Sequence, residues 1–272
     1  MKKSFENFYR RNLAFFRLAI VSNLEYRVNY FTDAVLQPAL TVLIEVTLWL
    51  AVFRSIGADT IGGFTQNDYL AYVLWASFIA RITSTWMYEF RMIEEVEMGS
   101  INGLLVRPMS FFEYYLSQFL GYKLITTVVS LLFPVAAVFF FKLPTDFSRA
   151  LPAFGLVIYY LLLVHTMSFC IATLAFRFNK VASLTVAKNL SLWLFSGELF
   201  PLDLLPEPWR GWFVACPFAN AVYVPVGYLT GRVGADTLLT GYASTTVGLV
   251  FFGGLGWWLW RSGLRQYSGT GA

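Results

Sequence analysis

The ionisable side chains Glu45, Arg81, His165 and Glu198 lie inside long apolar runs of this sequence. A charged group in so apolar a setting costs at least about 2.5 kcal/mol on insertion scales, so each is expected to face protein or a watery cavity. At about 1.5 Å of rise per helical residue, Glu45 lies roughly 13 Å from Arg54, and Arg81 roughly 12 Å from Glu89. On adjacent helices these two long side chains could meet, which suggests a structural ion pair. Glu198 stands near the end of its run, where it could line a pathway. His165 is the chain's single histidine. That excludes His-cluster metal sites and conventional dyad relays, apart from anything built on His165 itself, and it reads as a hydrogen-bonded packing residue. No G-x-S-x-G and no G-x-x-x-x-G-K-[ST] occurs, so neither a nucleophile elbow nor a phosphate loop is available. Cys170 and Cys216 form no C-x-x-C or metal spacing and read as small apolar fillers. No catalytic set is visible.

The elements that must hold these side chains follow from composition and hydropathy. Hydrophobic residues make up 57% of the 272, charged residues 13%, and the mean hydropathy is +0.60. A soluble domain carries about 25% charge, so an integral membrane protein is expected. Apolar runs of roughly 20 residues fall at about 31–53, 69–90, 112–141, 151–176, 183–200 and 239–260. The third is long enough to tilt. The fifth is marginal, and it ends in SGELFPLDLLPEP, where Pro201, Pro206 and Pro208 stop a regular helix. Thr65-x-x-Asp68 and Ser110-x-x-Glu113 read as capping boxes ahead of apolar runs. Six spans put both termini on one side. That side receives fourteen lysines and arginines, Lys123 and Lys188 among them, against five on the other. The positive-inside rule then makes it the cytoplasm.

The first 30 residues hold six basic residues and no clean apolar core or cleavage site, so no signal peptide is expected. Residues 1–25 instead read as an amphipathic interfacial helix. Phe5, Phe8, Tyr9, Phe16 and Ile20 share one face, and Glu6, Arg10, Arg11 and Arg17 the other. Its arginines suit anionic membrane lipid.

Between the second and third runs lies EEVEMGSINGLLVRPMSFFEYY, residues 94–115. Gly99 and Gly103 interrupt a helix that would otherwise continue, and Pro108 ends what remains. A short helix with Ile101, Leu104 and Leu105 on one side suits docking into a groove on a soluble partner; an ordinary solvated loop is the competing reading. Residues 202–238 pose a second puzzle. Trp209, Trp212, Phe213, Phe218, Tyr223 and Tyr228 make them too apolar for a free external loop, while Pro206, Pro208, Pro217, Pro225, Gly227 and Gly231 forbid one spanning helix. Two short re-entrant helices meeting near Cys216-Pro217 fit, because broken backbone at membrane depth needs a cover of protein or a watery cavity. An external surface patch for a partner protein is the competing reading there.

The segments IEEVEMGSINGLLVRPMSFFEYY and SGELFPLDLLPEPWRGWFVACPFANAVYVPVGYLTG resemble the two signature regions of ABC-type exporter permeases, the six-span family that includes drug and polysaccharide exporters. The resemblance runs over the whole chain and implies one all-α transmembrane permease domain over 1–272. Its parts are an interfacial N-terminal helix (1–25), spans one to five (31–200), a cytoplasmic docking helix (97–108), a re-entrant outer hairpin (202–232) and span six (239–260). It implies that Glu97, Gly99, Ile101, Leu104, Leu105, Arg107 and Pro108 enter a cleft of a separate ATPase subunit. ATP and Mg would be bound by that subunit, with no cofactor or metal in this chain. The implied assembly pairs two permease chains, identical or related, in a bacterial-type cytoplasmic membrane; no nucleic acid is expected as a partner. A self-powered secondary transporter or channel would predict internal repeats and spans unwound at the midplane. Residues 31–141 and 151–260 show no convincing similarity to one another. A membrane-embedded hydrolase or transferase lacks its residues. The cargo stays open among lipid-linked sugar, peptide, drug and ion.

Overall fold

The computed structural model describes residues 2–25, 28, 31–107, 109–178 and 180–267. The chain is built from helices: α1 (Lys2–Glu25), α2 (Gln37–Ile56, entered through a π-helical turn at Thr32–Leu36), α3 (Gln66–Thr83), α4 (Trp86–Glu97), α5 (Asn102–Leu105), α6 (Phe111–Ser130), α7 (Leu132–Phe141), α8 (Ala150–Leu174), α9 (Ala182–Phe195), α10 (Trp209–Ala215), α11 (Tyr223–Leu229) and α12 (Ala235–Leu264). Among the described residues, strand pairing is confined to a small antiparallel ribbon, Thr60–Ile61 against Phe64–Thr65. The all-α membrane class expected from the sequence is what these elements make.

Among the described residues, four helical segments are long and apolar enough to cross a membrane: Thr32–Ile56, Phe111–Phe141, Phe147–Leu174 and Ala235–Leu264. The other two expected runs take different forms. Residues 69–90 break at Ser84 (φ −67°, ψ 142°) and Thr85 into α3 and α4. Residues 183–200 keep a helix of 14 residues, after which Gly197 turns left-handed at φ +86°. An added Cβ at Gly197 would meet Tyr223 Cβ at 2.7 Å, so only glycine fits this exit.

Caps follow the sequence with one revision. Thr65 and Asp68 form a complete capping box. Ser110 accepts the Glu113 N–H, but the Glu113 carboxylate turns away to Arg11 at 2.6 Å. That ion pair fastens α1 to α6. Asn12 meets Ser117, the Phe15 and Tyr114 rings meet edge to face, and Ala19 packs where Gly121 has no side chain. Contacts advance in step along both helices, so α1 runs beside the start of α6. The side chains of Phe5, Glu6 and Phe8, and Arg27 altogether, lie outside the described residues.

Two cores hold the bundle. The larger surrounds α3, α8 and α11 and buries Tyr72, Trp75, Tyr160 and Tyr223. The smaller gathers Met92, Ile93 and Val96 of α4 with Ile101, Phe111 and Tyr115, Phe169 and Ala172 of α8, and Val181. α12 approaches α8 closely because glycines lie along its facing side: a Cβ at Gly248 would come within 3.1 Å of Leu163, and one at Gly256 within 3.1 Å of Cys170. Small residues at helix contacts are the usual packing device where apolar burial does not favour one helix over lipid.

Candidate functional site

The break between α3 and α4 is where the polar side chains converge. Its carbonyls at the end of α3 need donors, and Lys123 of α6 supplies them: its Nζ donates to Arg81 O and, at 3.1 Å, to Ser84 Oγ. A cation at a helix C-terminus is favourable on electrostatic grounds as well. On the other side of the break Glu89 occupies the first turn of α4. Its carboxylate pairs with Lys188 of α9, accepts from Ser168 of α8, and accepts Asn189 Nδ2–H at 2.9 Å. Lys188 also donates to Thr85 Oγ1 at 2.9 Å. Three helices are thereby joined through one buried ion pair whose lone pairs and protons are largely matched, the condition under which such a pair can be carried inside a protein.

His165 sits beside this network, fully buried. Its Nε2 lies 3.1 Å from the Phe112 carbonyl, which can only accept, so Nε2 carries the proton and Nδ1 accepts from Tyr88 O–H. Both ring nitrogens are engaged, in keeping with a packing residue.

Glu45 and Arg81 do not pair as expected. Glu45 accepts from Ser77 at 2.5 Å, and Arg81 donates to Gln37 at 3.1 Å. Ser77 lies one helical turn before Arg81 on α3, so it reaches Glu45 first. Two further expectations change with it. Glu89, the reference point for the depth of Arg81, is 1% exposed, and Lys188 and Lys123, which the sequence places on the basic side, are 9% and 7% exposed. The buried ion pair among the described residues is instead the interhelical Glu89–Lys188.

Residues 94–107 form a turn at the smaller core. α4 ends at Glu97 with Met98 as its cap, and Gly99 is left-handed at φ +77°. Helical turns continue from Asn102 N–H on Gly99 O to Arg107 N–H on Leu104 O. Ile101, expected on the outer apolar side, is instead buried in the smaller core, and Leu104 packs against that core. Leu105 is exposed, and Met98 and Val106 are the most outward apolar groups, 63% and 84% exposed. Glu97 accepts the Lys180 N–H at 3.1 Å, tying this turn to the connection before α9, while Glu95 pairs with Arg91. Arg107 is exposed, and Pro108 lies outside the described residues.

Glu198 lines a cavity of about 300 Å³ at the same break, bounded by Thr83, Ser84, Trp86, Tyr160, Asn189 and Trp193 among others. Beyond it, 202–232 fold as a 3-10 turn, α10, a 3-10 turn at Pro217–Ala221 and α11. Asn220 anchors the joint by donating to Gly241 O, Ser244 and Thr245, and Asp203 receives Tyr223 O–H at 2.9 Å and pairs with Arg210 at 3.2 Å. The helices are near the positions expected from the prolines and aromatics, and α11 is largely buried.

Sequence reasoning passed over Glu89, Lys188, Asn189 and Thr85. The signal was present: an acid and a base each fall inside an expected apolar run, 69–90 and 183–200. Among the described residues no His, Cys, Asp and Glu side chains cluster as a metal site. A protein-family profile described as ABC-2 family transporter protein matches residues 39–271. No curated protein matches the chain.

Proposed function

This chain belongs to the ABC-2 family of transporter proteins, and from that premise we propose that it is the permease half of an ATP-driven exporter, coupled to a separate ATPase subunit. A membrane component of this kind works with a partner ATPase; direction, docking residues and assembly are what we add. In our reading the spans are 32–56, 66–97 with its break, 111–141, 147–174, 182–200 and 235–264. Both termini face the cytoplasm of a bacterial-type inner membrane. Residues 202–232 re-enter the membrane from outside, and a second chain, identical or related, completes the pathway. ATP and Mg reside on the ATPase.

The observation that carries the coupling step is the turn at 98–107. It offers Met98, Leu105 and Val106 outward while Ile101 roots it in the smaller core. An ATPase cleft closing on the outward groups would push Ile101, and with it α4. Glu89 would then carry the push to Lys188 and Ser168 on α9 and α8. The break at Ser84–Thr85 lets α4 tilt without dragging α3.

Val106→Asp tests this. The side chain is free of the chain's own core, so insertion and folding stay normal. In the docked complex the carboxylate would sit unpaired in an apolar contact, at a cost of about 2 kcal/mol or more. Normal membrane abundance with lost ATPase co-purification is the expected result. Retained co-purification and ATP-dependent transport would reduce the turn to a solvated loop.

A further inference from the structure

The cavity at the α3–α4 break carries a carboxylate that no basic side chain among the described residues balances. Trp86 and Trp193 stand at its half-exposed side, and Tyr160 lies inside. The Tyr160 hydroxyl is buried and meets no hydrogen-bond partner. Its oxygen lone pairs are therefore free to face a cation placed in the cavity. Glu198, on the same wall, uses its backbone N–H on Ser196 Oγ, but no basic side chain among the described residues pairs with its carboxylate.

Other polar groups around the cavity are already engaged. Thr83 Oγ1 donates to Ile79 and Ala80 carbonyls, Ser84 Oγ to Arg81 O, and Asn189 Nδ2 to Glu89. That leaves one carboxylate, one phenol, the Ser196 hydroxyl proton and two indole side chains. A sugar needs many directed hydrogen bonds and finds few here. A hard metal cation needs about six oxygen ligands and finds too few. An organic cation needs one negative charge and π faces. At about 300 Å³ the space is at the small end for ligand pockets, which suits a cationic head with its apolar body directed out past the tryptophans.

We propose that this cavity, walled by Trp86, Trp193 and Tyr160 and charged by Glu198, binds the alkylammonium head of an apolar monocation. The inference deepens the permease reading and rests on it: the cavity is a cargo or lipid-head site within the membrane domain. A free amphiphilic amine and a choline-type lipid head share this chemistry.

Benzyltrimethylammonium is the probe, with neopentylbenzene as its uncharged isostere. Binding is followed by tryptophan fluorescence of the full chain in phosphatidylglycerol nanodiscs. Saturable quenching by the cation is expected, weakened about tenfold or more by Glu198→Gln, by Trp193→Leu, and by loss of the charge in the isostere. Replacing the lipid with phosphatidylcholine separates the sources. A fall in probe affinity, absent in Glu198→Gln, supports the site with a lipid head as occupant; an unchanged affinity supports it with a free cation as occupant. Equal binding by wild type and both variants, or by cation and isostere, overturns the proposal. No nucleotide or ATPase is present, so a null result here leaves the coupling reading to its own test at Val106.

Discussion

At the scale of single residues, the Glu89–Lys188 pair dominates the polar interior. Each ion on its own would be a buried, uncompensated charge; together, with Ser168, Thr85 and Asn189, they are largely matched. Removing one partner should therefore cost far more than removing both. Lys188→Met is expected to destabilise by about 3–5 kcal/mol, read as a lowered thermal midpoint in detergent. The double variant Glu89→Gln, Lys188→Met should recover most of that loss. A double variant as unstable as the sum of the single changes would mean that the two residues are not coupled. The same logic explains why Glu45 and Arg81 were a misleading pair. Both were visible as charges within apolar runs, yet each found a neutral partner nearer to hand, Ser77 and Gln37.

Among the elements, the two glycines of the 94–107 stretch have different duties although they look alike in sequence. Gly99 is left-handed at φ +77° and sets the direction in which the chain leaves α4. Gly103 is helical, and a Cβ there would meet nothing within 4 Å. Gly103→Ala is thus expected to keep ATPase association and to stabilise the turn by about 0.5–1 kcal/mol. Gly99→Ala forces an L side chain into the left-handed region at about 1–2 kcal/mol and should weaken ATPase co-purification by misdirecting Met98 and Val106. If both substitutions behave alike in a co-purification series, Gly99 does not aim the turn.

On the scale of the whole molecule, the question is which ends face which side. The structure removes Lys123 and Lys188 from the basic surface count, leaving twelve against five, so the positive-inside argument keeps its sign. Asp59, in the connection between α2 and α3, and Glu207, before α10, are both exposed, as is Gly103. With Cys170 and Cys216 replaced, single cysteines at 59 and 207 should react with an impermeant maleimide added to intact cells. A cysteine at 103 should react only after permeabilisation. External labelling at 103 would invert the orientation and remove the ATPase from reach of the turn.

Composition and hydropathy alone determined the class of this protein, the rough places of its helices and the two irregular stretches, because apolar run length, proline and left-handed glycine act locally. Thr65–Asp68 was legible for the same reason: a capping box closes within four residues. What the tertiary structure decided is everything that depends on which helix lies beside which. Glu89 and Lys188 are about a hundred residues apart, and only the packing of α4 against α8 and α9 reveals that their charges cancel. Ile101 and Val106 are both apolar and five residues apart, yet one is drawn into a core that Phe111, Phe169 and Val181 supply from elsewhere in the chain, and the other is left to face outward. The unmatched carboxylate of Glu198 is of this kind too: a missing partner can be recognised only when all the neighbours are in place.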